Sequence, residues 1–230
     1  MRLVVFDLDG TITYRDTLLP YVRGYLERSH RSRLRLAGVV PTLASFALGF
    51  ADHGAVKSAF IRSTLGGATR EQLADWTAEF APLLISTGCA PEALDAIRGH
   101  REAGDLLVLM SASTDLYVPQ IASALEFAEV ICTGVAFDAA GRLSGTLTTA
   151  NRRGPEKVRC FEALLRRHPG VASVAYGNAA SDLPHLVLAG QPRLVNASPQ
   201  TIRQAAVLGI KPYAAWITST CAPAKAPERT

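Results

Sequence analysis

The chain alternates short apolar runs with amphipathic stretches. Leu3, Val4, Val5 and Phe6 are continuous, apolar and rich in β-branched residues, the pattern of a strand covered on both faces. Residues 106–110, 130–132, 171–176 and 193–196 repeat it. Between them, 91–103, 116–125 and 155–167 read as helices, the first and last opened by Pro91 and Pro155, the first stopped by Gly104. A further helix begins at Pro199. Residues 135–137 and 143–148 flank Asp138-Ala139-Ala140-Gly141, which predicts a hairpin. Strand and helix in alternation predict an α/β fold, Rossmann-like, with a mostly parallel sheet and helices on both faces.

Residues 14–86 break this rhythm. Leu36, Val39, Val40, Leu43, Ala47 and Phe50 recur at spacings of three and four, a helical pattern. Gly66-Gly67 interrupts it, and Thr69-Arg70-Glu71-Gln72 reads as a new helix start. The expectation is a helical domain, 14–86, inserted into a discontinuous α/β core, 1–13 and 87–216. After Trp216 the residues are small, polar or Pro, which predicts a flexible tail at 217–230.

Composition narrows the classes. In 230 residues, 48% hydrophobic and 19% charged leave little room for long disorder. A net charge of +4 is too small to argue for nucleic acid, which needs a concentrated basic face. Cys89, Cys132, Cys160 and Cys221 have no metal or redox spacing, so a reducing cytoplasmic location is expected. The five histidines, His30, His53, His100, His168 and His185, have no ligand spacing either. No secretory signal is read, because Asp7 and Asp9 interrupt the first apolar run. The longest uncharged apolar stretch, 36–51, contains Pro41 and as a helix would span about 24 Å, short of a bilayer core of roughly 30 Å. Arg28, Arg31, Arg33 and Arg35 precede it, and basic residues beside an amphipathic helix suit peripheral contact with an anionic inner membrane surface. The competing reading packs the apolar face inside the insert and leaves the arginines solvated.

Ligands in parallel sheets bind beyond the carboxyl ends of strands, so the loops after Phe6, Met110 and Tyr176 carry the candidate chemistry. Phe6-Asp7-Leu8-Asp9-Gly10-Thr11 places two carboxylates two positions apart at a strand end. Such a pair can hold a hard cation and divide the roles of nucleophile and proton shuttle. Gly10 permits close backbone approach and an anion nest. Ser111, Lys157 and Asp182 alone would serve equally as a helix cap, a solvated lysine and an N-cap.

Together the segments resemble the four motifs of the haloacid dehalogenase superfamily, in order. They are Asp7 to Thr11, Ser111-Ala112-Ser113 after a strand, Lys157 early in a helix, and Gly177-Asn178-Ala179-Ala180-Ser181-Asp182. A helical insert between the first two motifs is similar to the cap of the phosphoserine-phosphatase-like branch, subfamily IB. The resemblance implies an Mg²⁺-dependent phosphatase. In it, Asp7 attacks phosphorus and Asp9 protonates the leaving group. Gly10, Ser111, Ala112 and Lys157 hold the phosphate. Asp7, the Asp9 carbonyl, Asp182 and Asn178 hold the metal. Asp16 stands where a substrate-contacting acid falls, though it equally suits a first-turn helix acid. Arg62 is out of register for the carboxylate-gripping arginine, and Asn178 replaces the usual Asp of the metal site. The implied substrate is a small phosphorylated metabolite or a lipid head-group phosphate. The alternative is a phospho-ligand-binding or regulatory protein with little turnover.

Overall fold

The computed structural model describes residues 1–216; the expected tail at 217–230, with Cys221, lies outside the described residues. The chain begins with β1 (Leu3–Phe6) and continues through α1 (Leu18–Arg28), a 3-10 turn (Arg33–Val39), α2 (Val40–Ala47), α3 (His53–Leu65) and α4 (Arg70–Gly88). Then come α5 (Pro91–Glu102), β2 (Leu106–Thr114), α6 (Val118–Ala124), β3 (Glu129–Thr133), β4 (Val135–Phe137) and β5 (Leu143–Leu147). The last segment holds α7 (Pro155–Arg167), β6 (Ser173–Gly177), α8 (Leu183–Leu186), β7 (Gln191–Val195), α9 (Pro199–Val207) and β8 (Pro212–Ala214).

Six strands form one sheet in the order β3-β2-β1-β6-β7-β8, every pairing parallel. β1 is buried throughout, which explains its unbroken apolar run. Val4 and Phe6 join one core, Leu3 and Val5 the other, as a period of two requires. The chain builds outward from β1 to β3, then returns to β6 on the other side of β1. The carboxyl ends of β1 and β6 therefore flank the topological switch point, where such sheets open a crevice.

Three sequence expectations change. The loop expected after Met110 is strand, since β2 runs on to Thr114 and pairs there with Thr133 after a register shift. Its polar residues are compatible with that because Ser111 and Thr114 are buried and the Ala112 carbonyl accepts from the Thr133 hydroxyl at 2.7 Å. The apolar pattern at 36–50 is not one helix. Pro41, which lacks an amide donor, sits in the first turn of α2, so the preceding residues wind as a 3-10 turn. Gly49 at φ +78° then turns the chain, leaving Phe50 outside α2. Finally, β8 was not foreseen, being a short edge strand opened by a proline, and the helix that an N-cap at Asp182 would start, α8, is a single turn.

The inserted helices attach unevenly. Tyr21 of α1 stacks on Tyr117 at 4.6 Å and meets the edge of Phe80 at 5.1 Å. The Thr69 and Gln72 side chains form a reciprocal capping box that opens α4. The α3–α4 linker pairs with β5 through Gly67 N to Leu143 O, 2.9 Å, and Leu143 N to Ala68 O, 2.8 Å. α2, by contrast, buries no residue. Leu34, Leu48 and Phe50 beside it are 82%, 71% and 85% exposed. Three of the arginines before it, Arg28, Arg31 and Arg35, are engaged within the fold. Arg28 pairs with Glu79, and Arg31 and Arg35 donate to carbonyls at the C-terminal end of α3, among them Gly66 O at 3.2 Å from each. Among the described residues, no helix is long and apolar enough to cross a membrane.

Candidate active site

The chain turns sharply after β1, with Thr11, Ile12 and Thr13 N–H groups all directed at the Leu8 carbonyl. Gly10 makes the turn at φ +77°. A side chain there would also strike Asn178, whose Nδ2 would lie 2.2 Å from the added Cβ. The turn brings Asp7 and Asp9 to one cavity of about 260 Å³. Their carboxylates have different partners. Asp7 Oδ1 accepts from Lys157 Nζ at 2.6 Å, and its Oδ2 from the Thr11 hydroxyl at 2.9 Å. Asp9 Oδ1 accepts from Thr17 N at 2.8 Å and Thr17 Oγ1 at 2.6 Å, and its Oδ2 from Ser113 Oγ at 2.6 Å. Because Thr17 gives its proton to Asp9, the Tyr117 hydroxyl, 2.9 Å away, donates to Thr17.

Lys157 enters from the first turns of α7 and is buried. Its ammonium bridges Asp7 and Asp182 Oδ1, the latter at 2.7 Å. The reading of Lys157 as a solvated lysine is thereby excluded. Asp182 Oδ2 accepts from the backbone N–H groups of Asn178 and Ala179 at 3.2 and 3.0 Å, so this side chain closes the β6–α8 loop and does not cap α8.

Charge balance here is tight. Burial, with Asp182 and Asp9 nearby, pushes the Asp7 carboxyl up to about 7 despite Lys157. Burial would likewise raise Asp182, but Lys157 and the loop N–H groups outweigh it and hold it below the carboxylate range. Burial works to lower Lys157, and its two carboxylates outweigh that and raise it. Burial and Asp16 push Asp9 upward against the hydrogen bonds of Ser113 and Thr17.

The remaining candidates divide. Asn178 lines the cavity, with Oδ1 3.4 Å from the Thr11 hydroxyl. Asp16 lines it too; it stands one residue before Thr17, the N-cap of α1, so it is not the first-turn acid that its sequence position also suited, although its Oδ1 accepts from Leu18 N at 3.0 Å. Ser111 is fully buried and accepts the Ser113 N–H at 3.0 Å; the cavity wall at this strand is Ala112 and Ser113. Arg62 is exposed and does not line the cavity.

Several site residues escaped the sequence reading. Ser113 had a signal, two positions beyond Ser111 on an extended segment. Lys57 had none: it projects from α3, and its ammonium donates to the Ala112 carbonyl and to Asn151 Oδ1, the latter at 2.6 Å. Burial, with Arg153 and Lys157 as like charges, lowers Lys57 to about 8. His53 and Phe60 of the same helix complete this wall.

The oxygen donors fit a hard divalent cation. Two carboxylates, the Asn178 amide oxygen and the Asp9 carbonyl belong to one turn pair, and the single ammonium of Lys157 is shared between the carboxylates of Asp7 and Asp182. Among the described residues, no three His, Cys, Asp or Glu side chains gather as a metal group by themselves.

A family model of the haloacid dehalogenase-like hydrolases matches residues 4–186. The chain belongs to this family. This haloacid dehalogenase-like hydrolase is 30% identical to Protein CicA of Caulobacter vibrioides over 190 residues, 82% of this chain and 83% of that one. Its fold is similar to a Bordetella pertussis Tohama I protein of unknown function, with a TM-score of 0.76 at 24% identity, covering 92% of this chain and 97% of that one. It is also the fold of a phosphoserine phosphatase solved as a phospho-aspartyl intermediate analogue. There the TM-score is 0.65 at 15% identity, over 95% of each chain.

Proposed function

We propose that this hydrolase is an Mg²⁺-dependent phosphomonoesterase that forms an aspartyl-phosphate on Asp7. The observation that carries the reading is the pair of differently held carboxylates: Asp7 against Lys157 and Thr11, Asp9 against Thr17 and Ser113. Asp7, Asp182, Asn178 and the Asp9 carbonyl would hold Mg²⁺, which supplies positive charge to the phosphoryl oxygens. Asp7 attacks phosphorus, and the bond to the leaving alcohol breaks. Asp9, raised by burial, gives that alcohol its proton, then takes one from the water that hydrolyses the aspartyl-phosphate. Lys157 and the backbone at Gly10 and Ala112 balance charge on the transferring group, while Ser111, buried behind that wall, holds the Ser113 N–H in place. In this reading 14–86 is a cap over a core of 1–13 and 87–216, and Asp16 faces the substrate from the segment that leads into the cap's first helix.

Phosphate release from p-nitrophenyl phosphate, with and without MgCl₂, is the direct test. Asp7→Asn should lose turnover by about 10³-fold or more, because an amide is no nucleophile. Wild-type rates in that variant would remove the nucleophile assignment. No magnesium-dependent release by the wild type would favour a phospho-ligand-binding protein with little turnover.

The substrate in this reading is a small phosphorylated compound, and the exposed tip of the insert favours a lipid head-group phosphate. Residues 28–62 carry Arg28, Arg31, Arg33, Arg35, Lys57 and Arg62 against one acid, Asp52. Phe46 and Phe50 stand exposed between them. An apolar tip within a basic segment suits an anionic membrane surface, at the inner face of a cytoplasmic membrane. Flotation with anionic liposomes at low salt should carry the protein, and Leu48→Ser with Phe50→Ser should release it. Absence of flotation by the wild type would leave the small soluble phosphate as the substrate class.

A further inference from the structure

The cavity wall holds a cation that the chemistry at phosphorus does not use. Lys57, Arg153 and Lys157 are the lysines and arginines lining it. Lys157 is committed to Asp7 and Asp182, and Lys57 to Ala112 O and Asn151 Oδ1. Arg153 differs from both. Its guanidinium makes no hydrogen bond or ion pair with any described residue, although its neighbour Arg152 is paired with Glu156. Arg153 is exposed, and it lines a second cavity of about 640 Å³ as well as the first. The two share His53, Asn151, Arg153 and Ser181, so they form one cleft with Arg153 at the junction. The acid on the second wall, Asp52, is occupied in capping α3, accepting from Ala55 N at 2.7 Å. Leu147 and Pro155 make part of that wall apolar, which favours charge pairing over hydration.

We propose that Arg153 reads a second anionic group on the substrate, a carboxylate or a further phosphate, lying in the second cavity while the phosphomonoester faces Asp7. This rests on the phosphomonoesterase reading. The planar fork of a guanidinium pairs with either anion through two N–H donors, which a lysine cannot reproduce. The contact lies away from phosphorus, so it holds ground state and transition state alike and acts through KM. A neutral alcohol phosphate would leave Arg153 unpaired, and the cleft would then select by charge as well as by size.

Matched three-carbon probes test this: glycerol 3-phosphate, 3-phosphoglycerate and glycerol 1,3-bisphosphate, with wild type, Arg153→Gln and Arg153→Lys. Wild type should prefer at least one doubly anionic probe by kcat/KM, and which one identifies the anion. Arg153→Gln should reduce that preference about tenfold or more through KM, and Arg153→Lys should keep part of it. A preference that survives in Arg153→Gln, or a wild type with none, overturns the proposal. If no probe is hydrolysed even with MgCl₂, the phosphomonoesterase reading fails separately. Calorimetric binding of the same three compounds to wild type and Arg153→Gln then decides Arg153 alone, and equal affinities would sink it.

Discussion

Two ends of this molecule treat apolar side chains in opposite ways. Around β1, Phe6 is fully buried and stacked face to face on Tyr176 at 4.2 Å, with Phe127 edge-on at 5.9 Å. At the tip of the insert, Phe50 is exposed and α2 contributes nothing to any core. The first arrangement holds the carboxylates of Asp7 and Asp9 in place. The second contributes little to folding and leaves a surface available for contact. The lesson is that one residue type marks structure in one region and candidate interaction in the other.

The same substitution in both places is the strongest way to break that contrast. Phe6→Ala should cost about 3–5 kcal/mol, the range for aromatic truncation in a core. Phe50→Ala should stay within about 0.5 kcal/mol. Urea midpoints at unchanged m-value measure both. Equal losses would mean that the tip is packed in solution and that its exposed face is not free.

Glycines sharpen the contrast at smaller scale. Gly10 and Gly49 have nearly equal dihedrals, φ +77° and +78°, so a Cβ strains both backbones by roughly 1–2 kcal/mol. Around Gly49 nothing lies within 4 Å, whereas at Gly10 the Asn178 amide would be overlapped. Gly10→Ala should therefore be the more destabilising of the two, and should impair turnover. Indistinguishable melting shifts would show that Asn178 yields freely, and the close packing of the two loops would lose its significance.

Asn178 itself gives a further, smaller effect. An aspartate there would place a third carboxylate near Asp7 and Asp182. Without metal, like charges should lower the melting temperature; with Mg²⁺, ligand charge should tighten binding several-fold. Asn178→Asp should thus melt lower in EDTA yet gain more from added MgCl₂ than wild type. Equal magnesium gains in the two proteins would put this side chain outside reach of the cation.

What could be read from the sequence follows from range along the chain. β1, Asp7, Asp9 and Gly10 are adjacent, and their spacing alone announces a strand end with paired carboxylates. Lys157 and Asp182 were legible as motifs, but their meeting required the return of β6 beside β1. Lys57 and Arg153 left no trace, because each is one basic residue among 24 and only the docking of α3 against β5 and the loop before α7 brings them to the cleft. The partners of the basic cluster were hidden for the same reason: Arg31 and Arg35 reach carbonyls that lie distant in sequence.

Lys57 supplies the smallest expected effect, and the one that isolates how the insert joins the core. Its pKa falls from the ordinary lysine value of 10.5 to about 8, chiefly through burial, with Arg153 and Lys157 adding repulsion that Asp9 and Asp16 oppose. Between those two values the unfolded chain carries a proton at this site that the folded chain has released. Stability therefore rises with pH across the window from about 8 to 10.5, and the penalty of the buried ammonium is fully present below it. Lys57→Met removes this contribution while keeping length and bulk, so the difference between the two proteins carries the signal free of other groups. Relative to the variant, wild type should gain on the order of 1 kcal/mol between pH 7.5 and pH 10, read from urea midpoints. The amine that remains above the window still donates to the Ala112 carbonyl, so the strut between α3 and β2 weakens without being severed. Parallel pH profiles for wild type and Lys57→Met would mean that this ammonium is solvated in both states, and that α3 does not close over the carboxylates as described.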